Sequence, residues 1–391
     1  MFTTLPDCSQ LMGWDRIDQP PGVRNHVVAL STVALTDQVT RNAAARVPGT
    51  LALTPQFERG LRGEDAAVQN RAITAVVNHP NVGAVLVVTH DRASANALIE
   101  EFADTRKPVI VQSLMAAGGL ASAVTSMIQQ LQSLHGSANK CVRRPMMISE
   151  LTVALECGGS DASSAVCANP TIGRFVDQLI DAGGRAIVSE TAEFLGGETI
   201  VRQQSRTPEI ANEILQCISH VENLMLESGK DYRGVNPTLE NIEAGLSTLT
   251  EKTMGAVCKI GRSKFAGCLQ FGETPTASGL FFMDTPFFSP TSLSGMALAG
   301  AQIGLFAVGV FNPSGMPLMP VIKICGNPET IKHWTDCVDM DVTGLIDGRY
   351  NLNHAADLLA CQICEIGNGK LTATEIQNEG QLIVPRTIAA L

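Results

Sequence analysis

Leu151-Thr152-Val153-Ala154-Leu155-Glu156-Cys157-Gly158-Gly159-Ser160-Asp161, then Ala168-Asn169-Pro170, then Ala186-Ile187-Val188-Ser189-Glu190-Thr191-Ala192-Glu193 and Gly196-Gly197-Glu198, is the stretch that decides the fold. Leu151 to Leu155 reads as a buried strand ending at the Cys-Gly-Gly-Ser-Asp loop. Pro170 to Ala182 reads as a helix, and Ala186 to Val188 as the next strand, ending at Ser189-Glu190. Strand, loop, helix and strand form the repeating unit of a parallel sheet. Ligands of open α/β sheets bind beyond the carboxyl ends of the strands, where loops gather polar side chains and helix N-termini. The two loops are therefore expected to be neighbours in one site.

Working outward, residues His26 to Leu134 alternate apolar runs (Val27 to Ser31, Thr50 to Thr54, Val82 to Val88, Val109 to Gln112) with helix-period segments. This four-strand series predicts an α/β fold whose first domain, residues 20–140, is a doubly wound parallel sheet. The polar, basic segment Gly136 to Arg144, ending at Pro145, marks the boundary. A second, larger α/β domain is expected over 147–391, with a helical C-terminal tail from about Asn353. Thr285 to Ile322 contains no Asp, Glu, Lys or Arg. Its prolines at 286, 290, 313, 317 and 320 leave no unbroken apolar run of about 20 residues, so a membrane span is rejected. No G-x-G-x-x-G follows the first strand and no Walker-type loop occurs, so neither a nicotinamide nor a nucleotide phosphate is indicated.

The 391 residues imply two or three domains at a prior of about 100–200 residues each. A chain 45% hydrophobic and 17% charged is globular, and its net charge of -10 offers no basic footprint for nucleic acid. An anionic substrate then needs local cations, for which Arg24, Lys252, Lys259, Arg262, Lys264 and Lys323 are available. Eleven cysteines, with no secretory start in Met1 to Gln19, suggest free thiols in a reducing cytoplasm. Cys361-Gln362-Ile363-Cys364 has redox or zinc spacing but lies in a helical run with no second pair nearby; helix packing is its other reading.

The string from Glu156 to Glu198 resembles the altronate and galactarate dehydratase family, which also includes the sulfolactate sulfo-lyase large subunit. The resemblance continues through Gly22-Val23-Arg24-Asn25-His26, Asn236-Pro237 with Asn241, Gly245-Leu246-Ser247-Thr248 with Glu251-Lys252, Phe282-Met283-Asp284-Thr285-Pro286, and Pro320 to Ile324 with Asn327-Pro328. It implies a lyase that uses a divalent metal, Fe(II) first with Mn or Mg as alternatives, to eliminate a group β to the carboxylate of a small hydroxy acid. Removing the weakly acidic hydrogen beside that carboxylate needs a base of near-neutral pKa and a cation for the developing enediolate.

Glu190, Glu193 and Glu198 could serve as base, acid or metal ligand, or as capping residues ahead of a helix. His26 could be a general base or structural, and Arg24 a bidentate anion clamp. Cys157 could ligate iron or pack beside the site, while Asp161 and Ser160 could bind metal or substrate or cap the next segment. Asn25, Asn169, Asn241 and Lys252 are implied substrate contacts and Asp284 a metal ligand, each with a buried hydrogen-bonding role as its alternative.

This chain departs from the family at Thr199, where relatives usually have histidine, and at Gly309-Val310-Phe311-Asn312-Pro313-Ser314-Gly315, where sugar-acid dehydratases carry a Gly-Arg-Gly-Ser type loop. Residues 316–324 and 339–345 look closer to the sulfo-lyase large subunit, and the Cys157 and Ser189 strings closer to the dehydratases. Only about 20 residues precede Gly22, so the small β-rich domain of the single-chain dehydratases has no counterpart. The resemblance thus implies a separate small subunit of about 100 residues, the size of one domain, in an oligomeric assembly. The expected reaction is sulfolactate to pyruvate and sulfite. Dehydration of a sugar acid to a 2-keto-3-deoxy acid is the alternative, and a non-catalytic binding or regulatory subunit is the third reading.

Overall fold

The computed structural model describes residues 10–230 and 236–387. They form two compact units, Met12–Pro145 with residues 381–387, and Met146–Gly380 with residues 10–11. Residues 381–387 return to the N-terminal unit, where Thr387 donates to the Asp65 carboxylate from its backbone N–H at 3.0 and 3.1 Å. Residues 388–391 and 1–9 lie outside the described residues.

In the N-terminal unit, β1 (Met12–Trp14) pairs antiparallel with β6 (Arg143–Pro145). Between them run β2 (His26–Ser31), β3 (Thr50–Leu53), β4 (Val82–Thr89) and β5 (Val109–Ser113), a parallel sheet in the order β3-β2-β4-β5. Helices α1 (Asp37–Ala44), α2 (Gly63–Asn78), α3 (Arg92–Glu101) and α4 (Leu120–Ala138) alternate with these strands. The period-2 pattern divides the two faces. Val27, Ala29, Ala84, Leu86 and Val88 pack with Val39 and Ala43 of α1 and Met127 and Leu131 of α4. The intervening Val28, Leu30, Val85 and Val87 are equally buried and turn to the face on which α2 packs. Each such side chain contributes roughly 1.5–3 kcal/mol through removal from water. The segment 136–144 ends α4 and begins β6, and the two units divide between Pro145 and Met146.

In the C-terminal unit, β7 (Thr152–Gly158), β8 (Arg185–Val188), β9 (Phe265–Leu269), β10 (Gly279–Met283), β11 (Ile303–Val308), β12 (Val321–Cys325) and β13 (Met340–Asp341) form a seven-stranded parallel sheet. Its order is β13-β12-β11-β7-β8-β10-β9. The helices are α5 (Asn169–Asp181), α6 (Glu198–Gln203), α7 (Pro208–Glu227), α8 (Leu239–Glu243), α9 (Leu249–Ala256), α10 (Ser289–Leu298), α11 (Pro328–His333), α12 (Leu352–Gly367) and α13 (Ala373–Ile376). From β7 the chain winds outward one way to β8, β10 and β9, and later returns to lay β11, β12 and β13 on the other side. The order therefore reverses between β7 and β11, and the crevice beyond their carboxyl ends is the expected ligand position.

Two glycines permit the close approaches that shape this edge. Gly159 has φ +61, and a Cβ there would lie 2.4 Å from the Phe311 carbonyl oxygen, so the loop after β7 sits directly on the loop after β11. A Cβ on Gly173 in α5 would lie 2.0 Å from the Cys258 carbonyl oxygen. Gly173→Ala is expected to lower the stability by about 1–3 kcal/mol through overpacking, and an unchanged urea midpoint would show that the contact relaxes freely.

No helix among the described residues is long and apolar enough to cross a membrane. Cys361 is disulfide-bonded, which corrects the free-thiol expectation at that position. Cys364 is a buried free thiol in the same helix, so the C-x-x-C pair does not close on itself.

Candidate active site

A cavity of about 740 Å³ opens at the carboxyl edge of the C-terminal sheet. Its lining comes from the loop after β7 (Cys157, Gly158, Gly159), the end of β8 (Glu190), the α8–α9 region (Asn241, Lys252), the approach to α10 (Phe287, Phe288, Ser289) and the loop after β11 (Val310, Phe311, Asn312). The β7 and β8 loops are thus brought together.

Glu190 is the most constrained residue of this set. It is 3% exposed and adopts φ 61, ψ 75, a left-handed conformation that costs a non-glycine residue about 1–3 kcal/mol. The conformation is held from the neighbouring strand end: the Glu190 N–H donates to Thr285 Oγ1 at 2.9 Å, and the Thr191 hydroxyl donates to Asp284 Oδ1 at 2.5 Å. Burial raises the Glu190 carboxyl well above the usual range, the charges of Glu156 and Glu193 push it further, and Lys252 and Lys259 oppose them.

Behind Glu190 lies a buried charged cluster. Lys259 pairs with Glu193, and both side chains are 1% exposed. Burial works against the Lys259 charge, but Glu193, Cys157 and Glu156 outweigh it and its pKa is raised. Burial pushes the Glu156 carboxyl up to about 7, with Lys259 as the main opposing influence. Ser292 donates to Glu156 Oε2 and lies 2.5 Å from the Ser189 hydroxyl. The Cys157 thiol is raised by burial and then by Glu193, and it contacts Ser160 Oγ at 3.2 Å and Asn169 Nδ2 at 3.4 Å.

The other residues singled out in the sequence divide into those on the cavity and those off it. Lys252 is on it, buried, with Nζ 2.9 Å from Asn236 Oδ1 and 4.3 Å from the Phe287 ring centroid. Asn241 is on it, and its amide donates to the Ser160 carbonyl at 2.9 Å. Asp161 takes the capping role: its carboxylate accepts from Ser163 Oγ, the Ser164 N–H and Asn327 Nδ2 at 2.7, 2.8 and 2.7 Å. Glu198 accepts the Gly196 N–H at 2.9 Å in the first turn of α6. Asp284 clamps Thr191. Arg24, Asn25 and His26 belong to the N-terminal unit, where Asn25 bridges Arg16 and the Ala138 carbonyl at 2.9 Å each. His26 begins β2, at the strand end opposite the one where ligands usually gather.

The metal set named from sequence, Cys157, Asp161, Glu198 and Asp284, therefore does not converge, because capping and loop-clamping donors hold three of its members. Among the described residues no group of three or more His, Cys, Asp or Glu side chains is arranged to hold a metal ion. Glu156 Oε1 and Glu193 Oε1 are buried acceptors that receive no hydrogen bond, but the Lys259 ammonium already supplies the positive charge acting on both carboxylates.

Glu156 carries no assigned role in the sequence reading, although a carboxylate inside an apolar strand is a signal of a buried polar site. Lys259 is read only as one available cation among several. Ser289, Ser292 and Asn312 give no signal, since hydroxyls and amides are common in loops.

Comparison with known proteins yields two family matches, "D-galactarate dehydratase/Altronate hydrolase, second domain" over residues 13–139 and "D-galactarate/Altronate dehydratase, C-terminal" over residues 148–390. The chain is 31% identical over 378 residues to the (2R)-sulfolactate sulfo-lyase subunit beta of Chromohalobacter salexigens, covering 96% of this chain and 97% of that one. It is 28% identical to the altronate dehydratase of Escherichia coli, covering 93% of this chain and 75% of the relative. It is 29% identical to the galactarate dehydratase (L-threo-forming) of the same organism, over 64% of this chain and 48% of the relative.

Proposed function

Because this chain belongs to the D-galactarate/altronate dehydratase family, we propose that it eliminates the β-substituent from a small 2-hydroxy acid in the cavity above β7, β8 and β11, with Glu190 moving the proton. The observation that carries this reading is the strained, buried Glu190 on the cavity lining with its proton affinity raised. A carboxylate of raised basicity is better matched to a weakly acidic C–H than an ordinary glutamate is.

In this reaction the C2–H bond breaks and its proton passes to Glu190. The electron pair forms the C2–C3 double bond while the C3 substituent departs with its bonding pair, as sulfite or, in a dehydration, as hydroxide that takes a proton to leave as water. The resulting enol loses its O–H proton and gains one at C3 to become the 2-keto acid. Lys252, the one lysine or arginine on the lining among the described residues, attracts the substrate carboxylate and the charge that develops on it. Glu193 and Lys259 lie behind Glu190 as its electrostatic surroundings.

Sulfolactate is the first substrate to test, with pyruvate and sulfite as products, because the relative named sulfo-lyase subunit beta matches this chain along nearly its whole length. That name also supports a second subunit working with this chain. The second reading, dehydration of a sugar acid, draws on Glu240, Asn241, Glu243 and Asn312 along the lining, which can accept from or donate to several hydroxyls. The test supplies sulfolactate, altronate and galactarate and follows keto acid and sulfite together. Sulfite with pyruvate supports the first reading, keto acid from a sugar acid alone supports the second, and no product from any of them rejects both.

Lys252→Met is expected to raise KM about 10- to 100-fold, the worth of one charge-assisted contact, with a smaller effect on kcat. An equal loss in kcat with KM unchanged would place the lysine in the chemical step instead.

A further inference from the structure

Glu190 Oε1 accepts a hydrogen bond from the Ser289 hydroxyl at 3.4 Å, and that hydroxyl accepts one from Asn312 Nδ2, also at 3.4 Å. All three residues line the cavity, and they arrive from the end of β8, the start of α10 and the loop after β11. An amide nitrogen can only donate. Ser289 accepts from Asn312 on one lone pair, and its O–H donates to the Glu190 carboxylate when that group is ionised.

The far end of this chain of donors is anchored. The Asn312 carbonyl accepts from Lys323 Nζ at 2.5 Å, and Lys323 is 1% exposed, with its ammonium 5.8 and 5.9 Å from the Phe306 and Phe311 ring centroids. Asn312 Oδ1 is engaged by the Ser314 N–H at 2.9 Å, which leaves the amide nitrogen to face Ser289. Burying a lysine is costly unless its charge has a partner; here the ammonium pins the backbone of the residue that starts the relay.

We propose that Asn312 and Ser289 are positioning residues that act through Glu190: their directed donor chain fixes the carboxyl orientation and confines the transferred proton to Oε2. The proposal rests on Glu190 being the proton-transfer group. Hydrogen bonds of this length are expected to tighten when substrate binds. With the Ser289 O–H on Oε1 of the ionised carboxylate, Oε2 is the oxygen left to take the C2 proton.

The test is a double-mutant cycle on the full chain with Ser289→Ala and Asn312→Asp. The carboxylate introduced by the second change can only accept at neutral pH, so it would draw the Ser289 hydroxyl toward itself and reverse the relay. Each single change is expected to lower kcat about 10- to 50-fold with KM within twofold, the double change to cost no more than either alone, and Ser289→Thr to restore most of the activity. Additive losses, or losses carried by KM, would overturn the relay. The same cycle read on urea midpoints is expected to show non-additive losses, whereas additive midpoint shifts would overturn it even if no supplied acid is turned over. Lack of turnover by the unmodified chain would count against the proposed function and not against the relay.

Discussion

Glu190→Gln is expected to lower kcat by about 10²- to 10⁴-fold, the usual contribution of a positioned proton-transfer group, with the fold intact. Glutamine keeps the shape and can still accept from Ser289, so the loss isolates the proton. The base must be ionised to act, and burial with Glu156 and Glu193 raises its proton affinity well above that of an ordinary glutamate. Activity should therefore rise with pH through a limb far above the usual carboxylate range.

Stability runs the other way. The folded chain keeps its proton on Glu156 up to about 7, whereas the unfolded chain releases it near 4.5. This contribution is fully present below the unfolded value and is lost as pH rises through the folded one, at about 1.4 kcal/mol per pH unit for each such group. Glu190, raised in the same direction, adds to that slope. The glutamine variant, with no carboxyl to titrate at this position, should consequently lose less thermal midpoint than the parent as pH rises toward about 8. A variant that is both inactive and markedly less stable there would assign Glu190 to structure rather than chemistry.

Lys259→Met is expected to have the largest effect on stability, about 3–5 kcal/mol, because it leaves a buried Glu193 with no counter-charge. The same change deprives Glu156 of its main stabilising neighbour and raises the proton affinity of both Glu156 and Glu190. Adding Glu193→Gln to Lys259→Met should recover much of the loss, since a neutral pair of similar volume leaves no uncompensated charge in the core. Urea unfolding checks this. A loss below about 1 kcal/mol for the single change would mean that water or another group reaches the cluster.

The strands were legible because their apolar runs are continuous, as parallel strands buried on both faces require. The loops after β7 and β8 were legible as site material because Gly158-Gly159 and Ser189-Glu190 directly follow such runs. Strand order was not: nothing in residues 303–325 announces that β11 lies beside β7 and places Phe311 and Asn312 on the same cavity. Asp161 and Asp284 show the limit for single residues. A carboxylate at a strand end has one sequence signature whether it ligates a metal, caps a helix or clamps a loop, and only its donors separate the three. Ser289 and Asn312 act on a glutamate roughly 100 residues or more away in the chain, so their role depends on geometry alone. Glu156 is the exception, a charge inside an apolar strand whose burial could have been inferred from its neighbours.

The central claim is that Glu190 takes the C2 proton of a 2-hydroxy acid. Its most direct test follows the C2–H signal of sulfolactate, altronate and galactarate by proton NMR in D₂O, with the unmodified chain and with Glu190→Gln. Loss of that signal together with keto-acid formation by the unmodified chain, and its persistence with the variant, is the predicted result. Equal loss with both proteins, or C2–H retained by the unmodified chain with every acid, would contradict the account.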